Sequence, residues 1–381
     1  MMLDSPKLRS QWGFAPWQRP TSFADYNTAS PARPSTTPDV AIVGGGLTGT
    51  SAAYHLAKMG VRPVLFEAGL IADGASGRTG GVVLEGTAAG ILDQVDACVA
   101  GLKRLVDEEQ IDCDLVLPGC WELKHSTVAP QAMLPWSDDG RPIGIARTVS
   151  GGVVQPAALT IGIAQAAARL GAVIREQSPV TRIAPEPELF LEIGSERIRP
   201  GHIVVATNAW INATLPEVAP LHCSLTFACV TEPLDPAVLV AIGLGEGMPF
   251  YTRDLPYLWG RTIRNGRVIF GAGLIFGNPA ELEVTDIHEG SSGAALDRLR
   301  KRVRRLHPAL HHVRFDAGWA GPIAFAEDSV PLLGQHPGNS QVLVSGGYAG
   351  HGVALSVRAG ELLALAIGKN LPLPEWGSLS R

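Results

Sequence analysis

The run Asp39-Val-Ala-Ile-Val-Gly44-Gly-Gly46-Leu-Thr-Gly49, continuing through Ala52, Ala53, Leu56 and Ala57 to Gly60, constrains the fold more than any other stretch. Val40, Ile42 and Val43 form a short apolar run of the buried-strand type. Gly44, Gly46 and Gly49 follow with G-x-G-x-x-G spacing. In such a turn the first glycine permits the tight bend, the second lets backbone amides approach a pyrophosphate, and the third lets the helix pack on the strand. Ala52, Ala53, Leu56 and Ala57 give the following segment a small-residue helical face, and Gly60 suits its end. A second strand, Val64-Leu65-Phe66, ends in Glu67, about where a ribose hydroxyl needs an acceptor. Strand, turn, helix, strand and acid together predict a dinucleotide site. An acid at this position favours an unphosphorylated ribose, as in FAD or NAD.

The chain has 381 residues, enough for about two domains of ordinary size. With 31 Lys and Arg against 36 Asp and Glu, its net charge is −5, which offers no electrostatic basis for nucleic acid or an anionic membrane. No apolar run reaches the roughly 18 residues of a membrane span, and the N-terminus has no signal-peptide core, so a cytoplasmic protein is expected. Five cysteines, Cys98, Cys113, Cys120, Cys223 and Cys229, match no zinc spacing and read as reduced thiols; no metal site is expected. Residues 1–38 are rich in Pro and Ser yet carry Trp12, Phe14, Trp17, Phe23 and Tyr26, which predicts an irregular arm packed on the body or on a neighbouring subunit.

After Glu67 comes a second small-residue loop, Gly74-Ala75-Ser76-Gly77-Arg78-Thr79-Gly80-Gly81. Its glycines let backbone approach something flat, and Ser76, Arg78 and Thr79 supply polar contacts. Turn, acid and loop together resemble the D-amino-acid-oxidase superfamily of FAD enzymes, closest to its sarcosine oxidase-like and γ-glutamylputrescine oxidase-like amine-oxidising branch. The resemblance implies an α/β fold: a Rossmann-like FAD-binding domain with an α+β substrate domain built on a mostly antiparallel sheet. It implies FAD contacts from Gly44, Gly45, Gly46, Leu47, Thr48 and Gly49, from Glu67 and Ala68, and from Ala75, Ser76, Arg78, Thr79, Gly80 and Gly81. By the same resemblance, the backbone of Val180 meets the adenine. The turn Thr207-Asn208-Ala209-Trp210 lies beside the flavin, with Thr207, Asn208 and Trp210 as contacts. Gly347, Tyr348, Gly350, His351, Gly352 and Val353 open a last helix at its pyrimidine edge. Sarcosine oxidases often carry a lysine where this chain has Ala354.

The remaining segments fill in this plan. Residues 91–113 have helical apolar spacing, Ala157 to Leu170 reads as a second helix, and residues 221–275 read as sheet with a hairpin turn at Asn265-Gly266. Tyr257, Trp259 and Arg261 alternate, so they share one face of their strand. With His351, Tyr257 and Arg261 are the candidate catalytic residues. His351, Arg261, Lys124 and Arg78 are candidate positive charges to assist oxygen. Residues 294–306 are strongly basic, but Leu296, Leu299, Val303 and Leu306 predict a buried stripe with a solvated charged side. The expected division is an arm at 1–38, an FAD domain from 39–90, 150–218 and 319–381, and a substrate domain from 91–149 and 219–318.

The resemblance implies removal of hydride from a carbon bearing an amine, transfer to flavin N5, and hydrolysis of the imine. O2 is the expected electron acceptor, giving H2O2. The alternatives are an amino-acid oxidase of the glycine, sarcosine or D-amino-acid type, and a dehydrogenase serving a quinone or a protein. Amino-acid branches often carry an arginine in W-A-G-L-R-P to grip a carboxylate. This chain reads Trp319-Ala-Gly-Pro322-Ile-Ala324, which favours an amine as the small-molecule substrate. No cysteine lies in the segment before the last motif, so FAD is expected to bind non-covalently. The oligomeric state is left open.

Overall fold

A computed structural model describes residues 11–17, 37–125 and 133–380. Phe23 and Tyr26 of the arm lie outside the described residues. The first strand forms over Val40–Val43, the glycine turn follows, and the helix runs over Leu47–Lys58. The strand is the hub of a six-stranded sheet. It pairs in parallel with Pro63–Phe66 on one side and His202–Val205 on the other. Val173–Arg175 extends one edge in parallel, and the hairpin Leu332–His336/Asn339–Gly346 extends the other. Such strands bury both faces, which explains their continuous apolar runs. Val40, Ile42, Leu65, Val204 and Leu343 face the helices Leu47–Lys58, Cys98–Glu109, Pro156–Arg169 and Gly352–Lys369. Ala41, Val43, Val64, Phe66, Ile203 and Val205 face a small sheet of Val180–Ala184, Phe190–Ile193 and Glu196–Ile198.

The first and last helices pack unusually closely. A Cβ on Gly360 would lie 2.5 Å from Thr48 O and 2.6 Å from Ser51 Cβ, so only glycine permits the contact. Ser51 Oγ donates to Val357 O at 2.6 Å across the same seam. This contact brings the starts of the two helices to one place.

The second layer is an eight-stranded sheet in the order 315–325, 222–231, 268–276, 259–262, 250–252, 120–125, 141–149, 133–138. All neighbours are antiparallel except Phe250–Thr252 with Cys120–His125. Strand alternation splits its faces. Leu225, Phe227, Cys229 and Phe270 meet Leu296, Leu299, Val303 and Leu306 of the basic helix, Gly290–Leu306. The opposite face, bearing Thr226, Ala228 and Val230, turns toward the parallel-sheet domain.

The sequence expectations need correction at four points. The helix expected over 91–113 is Cys98–Glu109, and Ile91 is exposed. Val99, Leu102 and Leu105 join the core of the parallel-sheet layer, so this helix does not belong with the second sheet. Strand Phe315–Phe325 pairs along its whole length with His222–Thr231, so the chain leaves the second sheet after Phe325 and not at 319. Arg302 is not on a solvated face. It makes a bidentate ion pair with buried Asp138, Nε–Oδ1 at 2.9 Å and Nη2–Oδ2 at 2.6 Å. The hairpin turn is where it was expected, with Asn265 and Gly266 at φ 67° and 71° between strands Trp259–Thr262 and Val268–Phe276.

The described part of the arm packs on the body. Trp12 is buried, donates to Leu282 O at 2.9 Å and stacks on Trp210 at 6.3 Å. Trp17 donates to Gly77 O at 2.9 Å and meets Trp319 edge-on at 6.2 Å. All five cysteines are buried and unpaired. Among the described residues no helix is long and apolar enough to cross a membrane, and no cluster of ligand side chains could hold a metal.

Candidate cofactor and substrate site

A cavity of about 460 Å³ lies between the two layers. Its near end is the first glycine turn. Gly44 has φ 111°, which a side chain would strain, and its amide donates to Phe66 O at 2.8 Å. A Cβ on Gly49 would lie 1.9 Å from Gly44 O, so the helix can approach the turn only as glycine. Gly46, Leu47 and Thr48 line the cavity, and Gly46 caps the helix with no side chain. The amide of Leu47 is met by Ser76 Oγ at 2.9 Å, and a Cβ on Gly46 would come within 2.8 Å of that oxygen. The first helical turn carries no acid. Open amides and the positive end of the helix dipole therefore face the cavity, as a diphosphate requires.

The far end is built by a second helix start. Gly350, His351, Gly352 and Val353 line it, and His351 caps helix Gly352–Lys369 without a side-chain bond. Tyr348 locks the two ends together: its hydroxyl lies 2.7 Å from Thr48 Oγ1 and 2.8 Å from Ser345 Oγ. Two uncapped helix starts thus converge on one cavity. Beside it Thr207 Oγ1 is buried without a hydrogen-bond partner. This donor set fits FAD, with its anionic diphosphate at one end and a ring that gains negative charge at the other.

Ala75, Ser76, Arg78, Thr79 and Gly80 also line the cavity, as does Asn208, whose Oδ1 accepts the Gly347 amide at 2.9 Å. Other expected contacts stand off its wall. Glu67 ends the second strand and accepts the amides of Gly45 and Gly69, each at 2.7 Å. Ala68 beyond it is exposed. Val180 opens its strand near this end, where Ser178 N donates to Glu67 O. Gly81 turns away at φ 70°, with room for no side chain beside Val154 O. Trp210 is directed to Trp12 and donates to Glu283, so it does not face the cavity.

The candidate catalytic residues separate. Tyr257 lines the cavity, its hydroxyl 2.9 Å from Thr226 Oγ1 and 3.0 Å from Gly273 O. Burial raises its pKa, so it stays neutral. His351 lines the opposite wall. Burial holds its imidazole below the ordinary value, and Nδ1 lies 3.4 Å from Ala349 O. Arg261 does not reach this cavity. It shares the face of Trp259, as alternation requires, but lies one pleat further on, beyond the Gly80–Gly81 turn. Lys124 is exposed on its strand and lines nothing here. Arg78 is buried, yet its guanidinium is used elsewhere: Nη1 donates to Gly13 O at 2.7 Å, Nε to Asp73 O at 3.1 Å, and Cζ sits 5.4 Å over Trp12.

Sequence reasoning missed much of the substrate-side wall. Thr226, Ala228, Tyr251, Leu255, Leu274 and Ile323 form it. Alternation along His222–Thr231 would have found Thr226 and Ala228 once the strand register was known. Leu255, 78% exposed beside Pro256, carries no local signal of its place.

Comparison with known proteins places these features in one family. Residues 39–366 match the family model DAO, FAD dependent oxidoreductase. The chain is 26% identical to the gamma-glutamylputrescine oxidoreductase of Escherichia coli, over 90% of this chain and 85% of that one. It is 26% identical to the probable oxidoreductase OrdL of Haemophilus influenzae, over 86% of this chain and 82% of the other. It is also similar to the glycine oxidase of Bacillus licheniformis, at 24% identity over 89% and 95%. In fold it is similar to the crystal structure of glycine oxidase from Geobacillus kaustophilus, with TM-score 0.72, 21% identity, and coverage of 91% and 99%. With the family model spanning most of the chain and the two helix starts meeting at one cavity, this protein belongs to the DAO family of FAD-dependent oxidoreductases.

Proposed function

We propose that the protein oxidises the C–N bond of an amine that lacks a carboxylate beside the reacting carbon, with O2 as electron acceptor and H2O2 as product. The observation that carries this reading is the charge of the cavity. Among its described lining residues only Arg78 and His351 are basic. The Arg78 guanidinium is bound to Gly13 and Asp73, and His351 is held neutral by burial. Nothing there is placed to grip a substrate carboxylate, which would lose its hydration without a charged partner.

Bound FAD supplies the two-electron acceptor. The chain's own part is to bind and orient. Tyr251, Leu255, Tyr257, Trp259 and Leu274 offer apolar surface to the body of an amine and exclude water from it. In a site of this kind positioning accounts for most of the rate gain. With Nδ1–H toward Ala349 O, a neutral His351 keeps Nε2 as an acceptor for a hydrogen bond from the substrate amine.

The test is anaerobic bleaching of the FAD-loaded protein with primary amines, secondary amines, glycine, sarcosine and D-amino acids. Air is then readmitted and peroxide measured. Amines without a carboxylate should bleach fastest. If an amino acid outpaces every such amine, the substrate reading fails and the glycine-oxidase type replaces it. Bleaching without peroxide, reversed by an added quinone, would replace O2 as acceptor.

A further inference from the structure

The sheet face that floors the first cavity continues past it. Thr226, Ala228, Trp259 and Trp319 line the first cavity; Val230, Arg261 and Ala317, each two residues further along the same three strands, line a second of about 730 Å³. The Gly80–Gly81 turn and the edge-on pair Trp17/Trp319 stand between them. A Cβ on Gly80 would strike Trp259 at 2.0 Å, and one on Gly81 would lie 3.3 Å from an Arg261 nitrogen.

Arg261 is only 4% exposed, and its Nε has no hydrogen-bond partner among the described residues. Its guanidinium lies 5.1 Å over the Trp17 ring, which offsets part of the cost of burial. Burial draws its pKa down to about 10, so it is still charged at neutral pH. The other charges of this cavity pair among themselves, Arg264 with Asp114 and Arg267 with Asp316. Arg261 thus makes no ion pair among the described residues, and the Asp114 carboxylate acts on it only at longer range. Buried donors are almost always satisfied, so such a group calls for a ligand. Leu115, Val116, Val153, Ile263 and Trp17 give the cavity apolar wall, and Gln155, Thr262 and Asn265 add neutral polar groups. A small hydrated anion would leave this apolar wall uncovered, whereas an anion with an apolar body would cover it.

We propose that this second cavity binds an organic monocarboxylate with a flat apolar body, its carboxylate on the Arg261 guanidinium and its body against Trp17 and the aliphatic wall. The site is separate from the cofactor and substrate cavity and does not depend on the reading of the substrate.

Benzoate serves as the probe, titrated calorimetrically into the FAD-loaded full chain, with benzyl alcohol and inorganic phosphate as controls. Benzoate should bind one to one, the controls should not bind, and flavin absorbance should stay unmoved. Arg261→Gln should weaken benzoate by at least roughly tenfold, the scale of losing a charge-assisted bond. Ala317→Phe fills the cavity from its floor without touching Arg261 and should abolish binding, which covers the case of an Arg261→Gln protein that does not fold. The proposal is overturned by absent benzoate binding, by phosphate binding as tightly, or by unchanged affinity in either folded variant. A flavin absorbance change that survives Arg261→Gln also overturns it, since it puts benzoate in the first cavity.

Discussion

Two glycines three residues apart should fail for different reasons, and this separates folding from cofactor binding. In Gly49→Ala the new methyl would sit 1.9 Å from Gly44 O and 3.1 Å from Gly44 C. The obstacle is backbone, so turn and helix must part by about 1 Å or more, at a cost of roughly 1–3 kcal/mol. Helix propensity favours alanine here by about 1 kcal/mol, which leaves a net loss of up to about 2 kcal/mol. In Gly46→Ala the methyl meets only Ser76 Oγ, at 2.8 Å, a rotatable group. The backbone there, φ −83° and ψ −173°, suits alanine. Stability should change by less than about 1 kcal/mol. Yet the methyl stands among the amides offered to the diphosphate and displaces the serine that orders them. FAD affinity should fall by roughly tenfold or more, the equivalent of about 1.4 kcal/mol. Thermal unfolding of both apoproteins and fluorescence titration with FAD would measure the two effects. Gly46→Ala with parental FAD affinity, or Gly49→Ala with parental melting temperature, would refute the reasoning.

Three further outcomes follow from the same geometry. No cysteine lines the first cavity, so acid precipitation should leave the yellow colour in the supernatant, and a yellow pellet would show covalent attachment. A Cβ on Gly352 would meet Tyr348 Cβ and Ser356 Oγ at 3.3 Å, tight but not prohibitive, so Gly352→Val should keep its fold and its FAD while lowering the flavin reduction potential; an unchanged potential would show that this helix start does not serve the flavin. Burial alone would raise the Asp138 carboxyl, but bonds from Arg302 and His125 outweigh it and the pKa falls below its usual value. A depressed carboxyl stabilises above its unfolded pKa, and that stability is lost as pH drops through the folded value. Asp138→Asn should therefore cost about 3 kcal/mol at neutral pH and less under strong acid, measured by denaturant unfolding at both pH values; an equal loss at both would exclude the ion pair as the cause.

The Asp138 cluster also shows where local reading ends. Its carboxylate binds His125 Nε2 at 2.8 Å while Arg302 donates to the carbonyls of Pro256 and Tyr257 at 2.7 and 2.9 Å. The basic helix thereby ties down the loop that carries Leu255 and Tyr257 into the cavity. Arg302 and Asp138 lie 164 residues apart in sequence, and a run of arginines looks the same whether it is solvated or anchored.

The sequence alone determined what depends on neighbours along the chain. Glycine spacing, strand runs and the acid at Glu67 are local requirements of backbone geometry, so the first turn, its helix and the hairpin at Asn265-Gly266 could be read directly. Period-two alternation told correctly that Trp259 and Arg261 share a face, but the strand begins only at Trp259, so Tyr257 precedes it and does not belong to that alternation. Tertiary structure alone decided where that face is interrupted. A two-residue step moves a side chain by nearly 7 Å, enough to carry Arg261 past the Gly80–Gly81 turn and out of the first cavity. Likewise Trp210 faces Trp12 because the arm packs there, and Arg78 turns its charge to Gly13 for the same reason. Which side chains meet across the layers is set by how the sheets and helices pack, and no local pattern encodes that.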